Sequence, residues 1–192
     1  LEKESDLFWK WYLPLFLNKQ KTLYIKKKIK KILSKIYKKL DYGNKCLVHR
    51  DFHAQNLMKV GNKISIIDSQ DALIGNPAYD LVSLIDDVRI KTSNNLKENI
   101  YEYYLKKNLI TNNKNNKIFL ENFNILSVQR NLKIIGIFSR LFKRDKKKKY
   151  LKLIPHAWKL VESRINSNIF VELKKLLDAN ISKKNRQRVL FR

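Results

Sequence analysis

Residues 45–68 limit the fold of this 192-residue chain most, because helical periodicity stops there. Lys45-Cys46-Leu47-Val48-His49 has the character of a short buried strand, which would make Cys46 an inert, buried thiol. The β-prone runs 57–60 and 63–68 are separated by Gly61-Asn62, a two-residue hairpin connection. Elsewhere the pattern is helical. Residues 1–17 carry Phe8, Trp9, Trp11, Tyr12 and Leu15 at helical spacing and predict a helix or helix pair ending near Pro14. Residues 25–40 set Ile25, Ile29, Ile32, Leu33, Ile36, Tyr37 and Leu40 on one face, and a Gly-containing turn at 41–44 ends the helix. Asn76 as N-cap and Pro77 at the first position open a further helix through Tyr79, Leu81, Val82, Leu84 and Ile85. Helices follow over 96–105, about 118–142 and about 156–177, separated by polar stretches at 111–117 and 144–149. The expected class is α+β, mostly helical, with one β-region at 46–68 and no internal repeat.

Composition narrows the function classes. Apolar residues make up 44% of the chain, which excludes a disordered tail. A single cysteine excludes a disulfide framework and a Cys-rich zinc site. No apolar run approaches the ~20 residues of a membrane span, and no secretory segment is visible, so a cytoplasmic protein is expected. The first residue is Leu1 rather than Met, which implies further sequence upstream. Lys+Arg total 42 against 17 Asp+Glu, a net charge of +25. That balance raises nucleic acid as a partner. The charge is nevertheless spread along the chain, and its dense run at 26–31 lies on the outer face of an amphipathic helix. A solvated face is the reading adopted, with anionic lipid or nucleic acid contact as the alternative. The richness in Lys, Asn and Ile fits drift in an AT-rich genome.

The chemistry concentrates in His49-Arg50-Asp51-Phe52-His53-Ala54-Gln55-Asn56, directly after the first strand. Asp68 follows twelve residues after Asn56, at the end of the second hairpin strand. This is the order and spacing of a protein-kinase-type catalytic loop with its metal-binding aspartate. Phosphoryl transfer needs positioning and neutralisation of charge rather than covalent help. Asp51 would accept or orient the proton of the attacking hydroxyl. Asn56 and Asp68 would hold Mg²⁺ through hard oxygen donors. His49 would brace the loop, and Asp80 sits in the first turn of the next helix, where a carboxylate is favoured. A zinc site from His49, His53 and Asp68 is disfavoured, with 3 His in the chain and no Cys-rich cluster. Trp9, Trp11 and Trp158 read as core. Asp87 and Arg89 can pair at a helix end.

The segments His49-Arg50-Asp51-Phe52-His53-Ala54-Gln55-Asn56-Leu57, Ile66-Ile67-Asp68-Ser69-Gln70-Asp71-Ala72 through Leu84, and Arg130-Asn131-Leu132-Lys133 through Arg140 resemble the aminoglycoside-phosphotransferase-like kinase superfamily. Within it the likeness is greatest to bacterial anomeric kinases of N-acetylmuramate and N-acetylglucosamine, and it spans roughly residues 7–177. The resemblance implies the C-terminal lobe of a protein-kinase-like fold, over residues 1–192. It also implies ATP and Mg²⁺ as cofactors, a small amino sugar as substrate, and a place in cell-wall recycling. In such folds an aspartate at the position of Asp80 ties down the catalytic-loop backbone. His53, Asp71, Arg130 and Asn131 become candidates for substrate contact.

The pattern departs from the family in two places. Asp68-Ser69-Gln70 lacks the usual glycine. Gly43, Gly61, Gly75 and Gly136 form no phosphate-cradling loop, so the nucleotide lobe is absent and weak or no ATP turnover is expected of this chain alone. The rival readings are a choline, homoserine, aminoglycoside or protein kinase of the same superfamily, a basic nucleic-acid-binding module, and an accessory lobe whose partner chain supplies the nucleotide site. A nucleic-acid module would show steep salt dependence, and an intact Asp51–Asn56–Asp68 set argues against it.

Overall fold

The computed structural model describes residues 1–40, 45–108 and 112–187. The turn expected at 41–44 lies outside them, as does Thr111. Eight α-helices run through the described residues: α1 (Glu2–Leu7), α2 (Lys19–Tyr37), α3 (Ala78–Ile85), α4 (Asn94–Lys107), α5 (Asn113–Lys143), α6 (Ile154–Arg164), α7 (Val171–Asn180) and α8 (Lys183–Gln187). Four short strands, β1 (Cys46–Val48), β2 (Leu57–Val60), β3 (Lys63–Ile66) and β4 (Leu73–Gly75), form two antiparallel ribbons, β1–β4 and β2–β3. A mostly helical chain with small sheets is therefore what folds.

The chain divides into two compact units, Leu1–Lys39 with Val128–Arg192, and Leu40–Ser127. In the first, α2 buries Ile25, Ile29, Leu33, Ile36 and Tyr37 on one stripe, as 3.6-residue periodicity demands. Asn18 caps it, its Oδ1 accepting from the Lys21 amide at 2.8 Å. Phe8, Tyr12, Leu13, Trp158, Phe170 and Leu173 are among the other residues of this core. Trp158 Nε1 donates to the Tyr12 hydroxyl at 2.9 Å, which in turn donates to the Asn185 carbonyl at 3.2 Å. Burial pushes the Tyr12 phenol far above its ordinary pKa. Gly136 in α5 meets the backbone of Leu7 and Phe8, and a Cβ there would stand 2.6 Å from the Phe8 nitrogen, so no larger residue fits. Glu4 receives both Gln129 Nε2 and Lys133 Nζ at 2.9 Å.

The second unit carries the ribbons, α3, α4 and the start of α5. Its core gathers Val48, Tyr79, Leu81, Val82, Ile85, Phe119, Phe123 and Leu126. Asp86, fully buried, accepts from Ser127 Oγ at 2.7 Å and pairs with Lys97 Nζ at 3.2 Å, so its charge is compensated.

Several boundaries differ from the sequence expectation. The β-region extends to Gly75, because β4 pairs back on β1 with Val48 opposite Leu73. The helix expected over 156–177 is two helices, α6 and α7, broken at Asn166-Ser167-Asn168, residues that favour turns over helix interiors. The polar stretch before residue 118 is helical from Asn113, with Asn112 Oδ1 accepting from the Asn115 amide at 2.8 Å. α3 starts at Ala78, one residue later than expected, and Asn76 Oδ1 still accepts from the Ala78 amide at 3.0 Å. Trp9 and Trp158 are buried in the core as expected, whereas Trp11 is only half-buried.

Candidate active site

The loop between β1 and β2 is built from hydrogen bonds to backbone groups. Both oxygens of Asp80, in the first turn of α3, reach back to it: Oδ2 accepts from the His49 amide at 2.7 Å, Oδ1 from the Arg50 amide at 3.0 Å. This grip holds Arg50 at φ +73, a left-handed conformation that costs a non-glycine residue roughly 1–2 kcal/mol. Charge-assisted bonds of this kind are strong enough to offset that cost. The strained residue stands directly before Asp51, whose carboxylate is solvent-exposed.

Beyond Asp51 the chain closes a tight turn. The His53 amide donates to the Asp51 carbonyl at 2.9 Å and the Asn56 amide to the His53 carbonyl at 2.9 Å. The Asn56 side-chain Nδ2 donates to the same Asp51 carbonyl at 2.9 Å. That bond fixes the rotamer of a buried amide and commits its nitrogen, leaving Oδ1 as the hard donor atom.

The hairpin then delivers the second carboxylate. Gly61, at φ +59, supplies the left-handed turn residue between β2 and β3. The register Leu57↔Ile66 sets Asn56 opposite Ile67, whose amide donates to the Asn56 carbonyl at 3.1 Å. Asp68 follows at φ +63, a conformation aspartate tolerates better than most residues, and is exposed. His49 Nε2 lies 2.9 Å from the Ile67 carbonyl, so the imidazole joins the start of the loop to the residue before Asp68. Hydrogen bonds thus join Asp51, Asn56, His49 and Ile67, the residue before Asp68, into one assembly. The oxygen donors that Asp51, Asn56 and Asp68 carry are of the kind that suits a hard cation such as Mg²⁺. Among the described residues no cluster of three or more His, Cys, Asp and Glu side chains converges as a metal site.

The remaining candidates divide. Asp71 is exposed, and its carbonyl accepts from the Arg50 guanidinium at 3.3 Å. His53 is buried beneath the loop. Arg130 and Asn131 are buried in the part of α5 that belongs to the first unit. Asp87 and Arg89 pair at 3.5 Å at the end of α3. The sequence had not identified Arg50 as a strained loop residue tied to the Asp71 backbone. Its signal is its position between the strand and Asp51, two residues beyond Val48.

Cys46 corrects the expectation of a buried thiol: it is exposed, and Leu47 beside it is 70% exposed. In the described residues β1 pairs with β4 alone, and of its three residues Val48 faces the core. Surrounding protein removes enough water, and the Asp80 charge adds enough repulsion, to push the Cys46 thiol above its ordinary pKa. Because the thiolate is the nucleophile, iodoacetamide should alkylate Cys46 more slowly near neutral pH than a free thiol, with the midpoint of its rate–pH profile above that of a free cysteine. A rate–pH midpoint at or below the free-thiol value would contradict this.

A family model described as the phosphotransferase enzyme family matches residues 5–112 of the chain. An N-acetylmuramate/N-acetylglucosamine kinase of Neisseria meningitidis is 33% identical over 156 residues, covering 80% of this chain and 47% of that protein. A protein of the same name from Pseudomonas aeruginosa is 30% identical over 168 residues, 86% of this chain and 50% of its own. A third, from Caulobacter vibrioides, is 29% identical over 144 residues, 72% of this chain and 39% of its own. The chain spans about half the length of the curated relatives it matches.

Proposed function

The chain belongs to the phosphotransferase enzyme family, and from that premise we propose that it is the C-terminal lobe of an ATP-dependent cytoplasmic sugar kinase serving cell-wall recycling. The favoured substrate is N-acetylmuramate or N-acetylglucosamine, phosphorylated at the anomeric hydroxyl. One observation carries the reading: Asp80 grips the backbone before Asp51, and the hairpin pairs Ile67, the residue before Asp68, with Asn56, whose side chain bonds the Asp51 carbonyl. The relatives named as N-acetylmuramate/N-acetylglucosamine kinases support the choice of sugar.

In this reading Asp51 accepts a hydrogen bond from the sugar hydroxyl, aligns its oxygen and takes its proton as transfer proceeds. Asn56 Oδ1 and the Asp68 carboxylate would hold a divalent cation, which would supply neutralisation of phosphate charge. The Nδ2 bond to the Asp51 carbonyl couples cation ligand and base, so both keep one geometry. His49 braces both strands of the site, and Asp71 borders the loop on its exposed side.

A nucleotide-binding lobe outside this sequence completes the enzyme. Leu47, Val60, Ile64 and Ile74 on the two ribbons are each at least 60% exposed, an apolar surface that such a lobe would cover. The doubled length of the relatives supports the same division. The test is a panel of N-acetylmuramate, N-acetylglucosamine, choline, homoserine and an aminoglycoside offered to the complete enzyme with ATP. A sugar 1-phosphate is expected; transfer confined to the amine or alcohol acceptors overturns the substrate assignment.

A further inference from the structure

We propose that the outer face of α2 docks on an anionic lipid bilayer. Lys26, Lys27, Lys28, Lys30, Lys31 and Lys35 are all exposed on this helix, and α2 contains no acidic residue. Lys35 meets Glu172 at 3.6 Å, a pair open to water on both sides and therefore weak. Lys26 and Lys30, Lys27 and Lys31, and Lys31 and Lys35 are each four residues apart, a spacing at which like charges repel. The helix is held by its buried stripe of Ile25, Ile29, Leu33 and Ile36, so packing does not require the lysines. A negatively charged plane would relieve their repulsion and complement the face.

Two apolar side chains distinguish a bilayer from a nucleic acid. Leu23 and Tyr24 are 56% and 57% exposed. They sit one turn before Lys27 and Lys28 on the same face, with Lys28 Nζ 4.5 Å from the Tyr24 ring centroid. A phosphodiester backbone offers nothing to an exposed leucine. A membrane interface accepts leucine at the acyl boundary, tyrosine at headgroup depth and lysines among the phosphates. No described helix is long and apolar enough to cross a membrane, so α2 would lie on the surface.

The test is co-sedimentation of the chain with vesicles of phosphatidylcholine alone or mixed with phosphatidylglycerol. Binding to the mixed vesicles alone is expected, and it should fade as salt screens the charges. Each lysine neutralised should weaken partition about fivefold, so the combined K27Q, K30Q and K31Q variant should lose about a hundredfold with unchanged circular dichroism. K147Q, K148Q and K149Q together remove equal charge elsewhere and should leave most binding intact. L23N with Y24N should weaken vesicle binding and spare retention on heparin. Absence of binding to mixed vesicles at low salt, equal loss from the two lysine triples, or tighter binding to single-stranded RNA than to mixed vesicles would overturn the proposal.

Discussion

Replacing Asp51 with alanine in the complete enzyme should lower kcat by about 10²–10⁴-fold, the usual contribution of a positioned acid–base group. The thermal midpoint should barely move. The Asp51 carboxylate is exposed and makes no hydrogen bond or ion pair among the described residues, whereas its carbonyl, which alanine retains, accepts from His53 and Asn56. Loss of activity with an intact fold would therefore locate the defect in the reacting group. A kcat within a few-fold of the parent would remove Asp51 from the mechanism. Measuring KM alongside separates the roles further: a base acting in the transition state lowers kcat and kcat/KM together.

Asp80→Ala should do the opposite kind of damage. It removes the acceptor of two backbone amides at once, those of His49 and Arg50. Hydrogen bonds to a charged group are worth about 1.5–3 kcal/mol each, and the loop is half open to solvent, so a stability loss of about 2–4 kcal/mol is expected in denaturant titration. Hydrogen exchange at those two amides should accelerate before exchange in the α2 core does. Activity should fall by roughly a hundredfold as Asp51 loses its frame. Asp80→Asn keeps one acceptor oxygen and should fall between. If Asp80→Ala unfolded no more easily than the parent, the loop would be held by something other than this carboxylate.

The parts of the site that were legible in sequence are those coded locally. Gly61-Asn62 between two β-prone runs specifies the hairpin, and the hairpin register carries on to pair Ile67, the residue before Asp68, with Asn56. The spacing of Asp51, Asn56 and Asp68 carried the phosphotransferase reading, which the family match supports. What was not legible depends on partners distant in the chain. β4 is three residues long, too short for any periodicity, and exists because Val48 pairs with Leu73. Cys46 looked buried because an apolar strand usually is, yet burial depends on what covers the strand, and among the described residues β1 has one neighbour. The start of α2 was missed by six residues because Lys19, Gln20 and Lys21 are polar. The Asn18 cap was the available signal. The break between α6 and α7 was hidden by apolar spacing that continues across Asn166-Ser167-Asn168.

The contact between Asp80 and the loop is made entirely to main-chain nitrogen, which every residue except proline possesses. The clamp is therefore indifferent to which side chains follow the strand. Substitution at 49 or 50 would leave this clamp in place and give up only what the side chains add, the His49 bond to the Ile67 carbonyl and the Arg50 bond to the Asp71 carbonyl. The frame that precedes Asp51 is written in the main chain, and the side chains only refine it.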